Sequence, residues 1–146
     1  MIQKLNNFTL DELVCPHVYE KYGAFAYNFF DPRLLITVET LRDRINKAVF
    51  INNWQEHGPF SQRGLRCPEC QIPKDYAAKG ILYMSAHPLG KGFDFDVEGL
   101  LAGEVREWIK VHANWWPYPI RLEDGVTWIH LDLYNDTENK VILFNA

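Results

Sequence analysis

Three short segments of this chain alternate apolar and charged side chains, and that pattern constrains its fold more than any other feature. In Phe93-Asp94-Phe95-Asp96-Val97 the odd positions are apolar and the even ones acidic. Successive side chains of a β-strand point to opposite faces, so Phe93, Phe95 and Val97 share one face and Asp94 and Asp96 the other. Trp128 to Leu133 repeats the pattern, with Ile129, Leu131 and Leu133 against His130 and Asp132. Ile120 and Leu122 oppose Arg121 and Glu123 in the same way. These segments predict a largely antiparallel sheet with one apolar face and one face carrying Asp, His, Glu and Arg. Helices packed on the apolar face alone make a single α+β domain over residues 1–146, with any chemistry on the polar face.

Helical spacing supplies the cover. Thr9 followed by Glu12 is a capping-box pattern for a short helix. Asp31-Pro32 pairs an N-cap with a proline at the first helical position. Leu34, Val38, Leu41 and Ile45 then recur at helical intervals. A last helix is expected from about Ala102 to Ala113, with Leu101, Val105, Trp108, Ile109 and a core histidine, His112, on its apolar stripe. Ala48 to Ile51 reads as a short buried strand, and residues 52 to 80 as one long irregular loop. Loops of that length in small domains are more often functional than idle.

Composition narrows the function. The 146 residues are 47% hydrophobic and 14% aromatic, which excludes a disordered chain. There are 15 basic against 19 acidic side chains and no run of Lys and Arg, so the footprint of a nucleic-acid binder is missing. No apolar stretch approaches the roughly 20 residues that cross a bilayer, so membrane insertion is not expected. Met1 to Phe8 holds no apolar h-region, which predicts synthesis in the cytoplasm without a secretory signal. Three cysteines are too few for a disulfide scaffold and point to a reducing compartment.

On the polar face, His87, Asp94 and His130 stand out. Two imidazoles and a carboxylate suit Zn²⁺, and three protein ligands leave the fourth tetrahedral position open, as in catalytic rather than structural sites. Gly90 and Gly92 let the backbone bend between a ligand on a loop and a ligand on a strand. The bland alternative is a pair of histidines hydrogen-bonded to neighbouring carboxylates.

Ser85-x-His87-x-x-Gly90-x-Gly92-x-Asp94, followed by Trp128-Ile129-His130-Leu131-Asp132, resembles the zinc D-Ala-D-Ala carboxypeptidase family. That family shares its fold with hedgehog signalling domains and includes VanX-type dipeptidases and phage endolysin peptidases. The match spans roughly residues 50 to 135. It departs from the family pattern at Gly92, where Ala is usual, and at Trp128, where some members carry His. The resemblance implies one zinc per chain on His87, Asp94 and His130. It also implies hydrolysis of peptide bonds in peptidoglycan stem peptides, by a carboxypeptidase or an endolysin-type endopeptidase. A cell-wall enzyme without a leader suggests, by the same analogy, a phage or prophage lysin. Ser61-Gln62-Arg63 looks like the family's Ser-Gly-Tyr-Arg segment, whose Arg holds a substrate carboxylate, against the plainer reading of Arg63 as a surface residue of a polar loop; Ser85 is expected as a supporting residue of the substrate site, the alternative being a cap on its loop.

Such a site needs a carboxylate to take a proton from the attacking water and hand it to the leaving amine. The family often places that acid three residues before the final His, where this chain has Thr127. Glu123 and Asp124 remain as candidates. A loop of Asp124 to Thr127 would pair Leu122 with Ile129 and Ile120 with Leu131, matching apolar with apolar. Glu123 would then sit diagonal to His130, which makes it first choice and Asp124 second. Asp96 and Asp132 are expected as supporting acceptors or solvated charges. Cys67-Pro68-Glu69-Cys70 and the distant Cys15-Pro16-His17 read foremost as free thiols in loops, with a Cys₃His structural zinc site as the weaker reading. Trp115-Trp116 could offer a stacking surface for sugar rings, against the plainer reading as core. The chief alternative to an enzyme is a hedgehog-like, zinc-bound binding module without turnover.

Overall fold

The structure is a computed structural model describing residues 5–146, so the first four residues of the stretch read for a secretory signal lie outside it. Local capping chemistry sets the helices. The short α1 (Leu10–Leu13) begins where the Glu12 carboxylate accepts from the Thr9 N–H at 2.8 Å. α2 (Pro16–Tyr22) carries its proline in the first turn and runs into a 3₁₀ segment, Gly23–Phe29. α3 (Pro32–Ile45) starts at Asp31, whose carboxylate accepts from the Arg33 N–H at 3.0 Å, and buries Leu34, Val38, Leu41 and Ile45. The strand β1 (Val49–Phe50) follows, then α4 (Gln71–Ala78), β2 (Gly92–Val97) and α5 (Ala102–Val111). β3 (Ile120–Glu123), β4 (Ile129–Asp132) and β5 (Val141–Phe144) complete the chain.

The strands form one sheet in the order β1-β2-β4-β3-β5, antiparallel except for the parallel β3–β5 pair. Period-2 alternation sorts its faces as expected. Phe93, Phe95, Ile120, Leu122, Ile129 and Leu131 are buried and merge with Leu34 and Leu41 of α3 and Val105 and Ile109 of α5 in one core. Burying each of these side chains is worth about 1.5–3 kcal/mol. The result is an α+β domain with a largely antiparallel sheet.

Three expectations need correction. Residues 52 to 80 are not one irregular loop: a 3₁₀ turn, Trp54–Glu56, and α4 lie within them. Pro73 obscured the helix, but it stands in the first turn of α4, where no intrahelical N–H bond is lost. The last helix ends at Val111 and gives way to a 3₁₀ turn, Ala113–Trp115. The third correction concerns register. Leu122 pairs with Leu131 and Arg121 with Asp132, two residues from the pairing of Leu122 with Ile129. A shift of two keeps every side chain on its face, so apolar matching cannot choose between the registers. Charge chooses: Arg121 donates to both oxygens of buried Asp132 at 2.9 Å. Arg106 then holds the longer connection by donating to the carbonyls of Val126 and Trp128, each at 3.1 Å.

Candidate metal centres

The β2–β4 register sets Asp94 directly across from His130. His87 arrives from the turn before β2, which closes on Gly90 with φ 63°. An added Cβ at Gly90 would lie 2.1 Å from the Phe29 carbonyl oxygen, so the turn needs glycine twice over. All three side chains are buried, and one ligand atom from each lies within 4.8 Å of the others. Asp94 Oδ2 is 3.2 Å from His87 Nε2, and Asp94 Oδ1 is 2.8 Å from His130 Nδ1.

The far nitrogen of each imidazole is occupied. His87 Nδ1 lies 2.9 Å from the Gly64 carbonyl oxygen, and His130 Nε2 lies 2.9 Å from Asp132 Oδ2. Both contacts keep a proton on the outer nitrogen and turn the inner nitrogen toward Asp94, so that loss of the inner proton would leave the arrangement that metal-binding histidines show. Asp132 is thus a supporting acceptor and not a solvated charge. Ligand atoms of a tetrahedral zinc site with Zn–N and Zn–O near 2.0–2.1 Å lie about 3.3 Å apart; the 3.2 Å His87–Asp94 contact matches that spacing, and the 2.8 Å His130–Asp94 hydrogen bond would have to open. The residues present therefore fit a metal ion.

Without a metal the cluster is a charge network. Burial works to raise the Asp94 carboxyl, but hydrogen bonds with His130 and His87 outweigh it and hold Asp94 well below the ordinary carboxylate range. Burial pushes His87 down, toward the neutral form. On His130 burial also acts downward, yet the carboxylates of Asp132 and Asp94 on either side raise it to about 9.

Protein-family models, curated proteins and solved structures contain no match to this chain.

Glu123 ends β3 on the polar face, and continuing the observed register sets it opposite His130, not diagonal to it. Its carboxylate has no ion-pair partner among the described residues. Asp124 is exposed at the turn, accepts from the Gly125 N–H at 2.9 Å and lies 3.7 Å from Arg106 Nε. Arg63 places Nη1 2.6 Å from Asp96 Oδ2 and lies over the Phe60 ring, 3.6 Å from its centroid. Its backbone carbonyl accepts from the Asp94 N–H at 2.8 Å. Ser85 Oγ is shielded from solvent and has no hydrogen-bond partner among the described residues.

Two features of the polar face escaped the sequence reading. Arg66, not Arg63, is the arginine against the triad, with Nη2 2.8 Å from Asp94 Oδ2 and Nη1 bonded to the Tyr83 hydroxyl at 2.5 Å. Phe144 of β5 packs edge-on against His130, with ring centroids 5.8 Å apart, and under Arg121. The short apolar run Val141 to Phe144 after a polar stretch was its only trace. His112 is half-buried, stacked on Trp115 with centroids 3.9 Å apart, and Trp116 is core, so sugar stacking is left to Trp115.

A second cluster of ligand-type side chains is present as well. Cys15, His17, Cys67 and Cys70 lie together, with one ligand atom from each within 4.8 Å of the others. The three thiols are free, and their closeness brings together the residues of the weaker sequence reading, a Cys₃His site: these four residues could hold a metal ion.

Proposed function

We propose that the chain is a zinc metallopeptidase of the D-Ala-D-Ala carboxypeptidase type, cleaving peptide bonds in peptidoglycan stem peptides. The observation that carries this reading is the triad itself. His87 Nε2, Asp94 and His130 Nδ1 converge, while Gly64 and Asp132 fix the outer nitrogens. Three ligands rather than four suit a catalytic ion, and zinc when bound supplies a Lewis acid and an activated water.

The remaining work falls to the chain's own side chains. Glu123, on the same face and across from His130, accepts the proton and returns it to the leaving amine. Asp124 is the weaker candidate, because its carboxylate is turned toward Arg106 at the exposed loop. Arg63 commits only Nη1, to Asp96, among the described residues, which leaves its Nε–Nη2 edge for a substrate carboxylate. Arg66 draws Asp94 toward the ionised form that a metal ligand must have. Ser85, two residues before His87 in the chain and without a hydrogen-bond partner for its Oγ among the described residues, is kept as a supporting residue of the site.

Release of new amines from purified peptidoglycan by the zinc-loaded chain tests the proposal. Glu123→Gln should retain zinc and lose about 10²–10⁴ in rate. Full zinc content with no amine release from the parent chain would replace the enzyme with a binding module.

A further inference from the structure

We propose that Cys15, His17, Cys67 and Cys70 hold a second zinc ion in a closed structural site, separate from the triad. The geometry of the four donors carries the assignment. Zn–S bonds near 2.3 Å and Zn–N bonds near 2.0–2.1 Å make tetrahedral edges of about 3.8 Å for S···S and about 3.5 Å for S···N. Cys67 Sγ and Cys70 Sγ are 3.9 Å apart, and His17 Nδ1 lies 3.6 Å and 3.8 Å from them. A disulfide between Cys67 and Cys70 would need about 2.05 Å, so the sulfurs are spaced as co-ligands of one ion, not as bonded partners.

The local chain is built to hold that spacing. Cys70 accepts no slack, because its N–H donates to the Cys67 carbonyl at 3.0 Å and it stands at the start of α4. Cys15 stands likewise at the start of α2, with His17 two residues on. The two halves are joined by backbone: the Cys15 N–H donates to the Leu65 carbonyl at 3.1 Å and the Leu65 N–H to the Leu13 carbonyl at 2.8 Å. Cys15 and Cys70 are buried, while His17 is exposed and closes the outer side. Three thiolates and one imidazole select a soft or borderline ion over calcium or magnesium. Four protein ligands leave no position for substrate, so the ion's role is structural.

The segment it clamps explains what the clamp is for. Gly64 carries the carbonyl against His87 Nδ1, Arg63 the carbonyl against the Asp94 N–H, and Arg66 the guanidinium on Asp94. All three lie just before Cys67. The second ion therefore fastens the stretch that orients two of the three triad ligands to the N-terminal helices.

Cobalt substitution tests the proposal without reference to catalysis. The chelated chain reloaded with Co²⁺ should show thiolate-to-cobalt charge transfer and the visible bands of a tetrahedral ion, and should bind about two equivalents. His130→Ala should drop the content to about one equivalent with the thiolate band intact. Cys67→Ser should lose that band and keep the other equivalent. Should Cys67→Ser fail to fold, thiol alkylation of the parent chain gives the same answer. Zinc should protect Cys67, the one thiol of the three that is not buried, and chelation should restore its alkylation. A cobalt spectrum without thiolate charge transfer, or equal alkylation with and without zinc, would overturn the assignment, whatever the fate of the triad.

Discussion

Asp132→Asn removes one charge and leaves the shape of the side chain almost unchanged, yet the structure makes it a severe test of how His130 is held. Four donors converge on this buried carboxylate. Oδ1 accepts from Arg121 Nε and the Tyr134 N–H, and Oδ2 from Arg121 Nη2 and His130 Nε2, all at 2.9 Å. An amide has one accepting oxygen, so either orientation turns its NH₂ toward two of those donors. One orientation abandons His130 and Arg121 Nη2, the other Tyr134 and Arg121 Nε. Each buried donor left unsatisfied costs about 1–3 kcal/mol. Arg121 keeps some access to water, with its side chain 24% exposed, which softens the loss on its side. The net expectation is about 2–4 kcal/mol of stability, read from denaturant midpoints of the metal-free protein. Metal affinity at the triad should fall about 10–100-fold, read with Co²⁺ by competition with a chelator while the thiolate-to-cobalt band reports the cysteine site separately. An affinity within about twofold of the parent would refute the claim that Asp132 orients His130 for a metal.

Other outcomes follow from the same contacts. In the metal-free protein His130 sits at about 9, above the unfolded value near 6.5, so its contribution is full below about pH 6.5 and lost as pH rises through about 9. Denaturant midpoints should decline across that window, His130→Gln should flatten the decline, and a flat parent profile would contradict the paired imidazolium. Arg63→Lys keeps the charge and loses the planar fork, so hydrolysis should weaken with zinc content unchanged; parental kinetics would make Arg63 a structural partner of Asp96 alone. Gly90→Ala combines φ 63° with a Cβ placed 2.1 Å from a backbone oxygen, and should cost several kcal/mol and impair zinc binding. A melting temperature equal to the parent's would show that the turn relaxes freely. Asp124→Asn should change activity far less than Glu123→Gln, because only Asp124 faces Arg106 at the turn.

What the sequence disclosed and what it hid follow one physical division. Which face a side chain takes is decided by its immediate neighbours, so the alternation around Phe93, Leu122 and Ile129 located both the core and the polar face. Register depends on a partner strand, and a slip of two residues leaves the alternation untouched; only the Arg121–Asp132 pair distinguishes the alternatives. β5 has just four residues and pairs in parallel with β3, so nothing adjacent in the chain announced it. The cysteine cluster joins residues 15 and 17 to residues 67 and 70, and the distance between those pairs is set by the Val14–Leu65 bridge. His87, Asp94 and His130, by contrast, were legible, since two lie on alternating strands and the third on a glycine-punctuated turn just before one of them.

The central claim, hydrolysis at a zinc site on His87, Asp94 and His130, is tested most directly by mass spectrometry. Purified peptidoglycan fragments carrying intact stem peptides should be incubated with the zinc-loaded chain. Cleavage at one defined peptide bond, with the mass of one water added across the products, is the expected result. It should vanish in His130→Ala and in Glu123→Gln. Unchanged stem peptides in the presence of a chain that holds zinc at the triad would contradict the account.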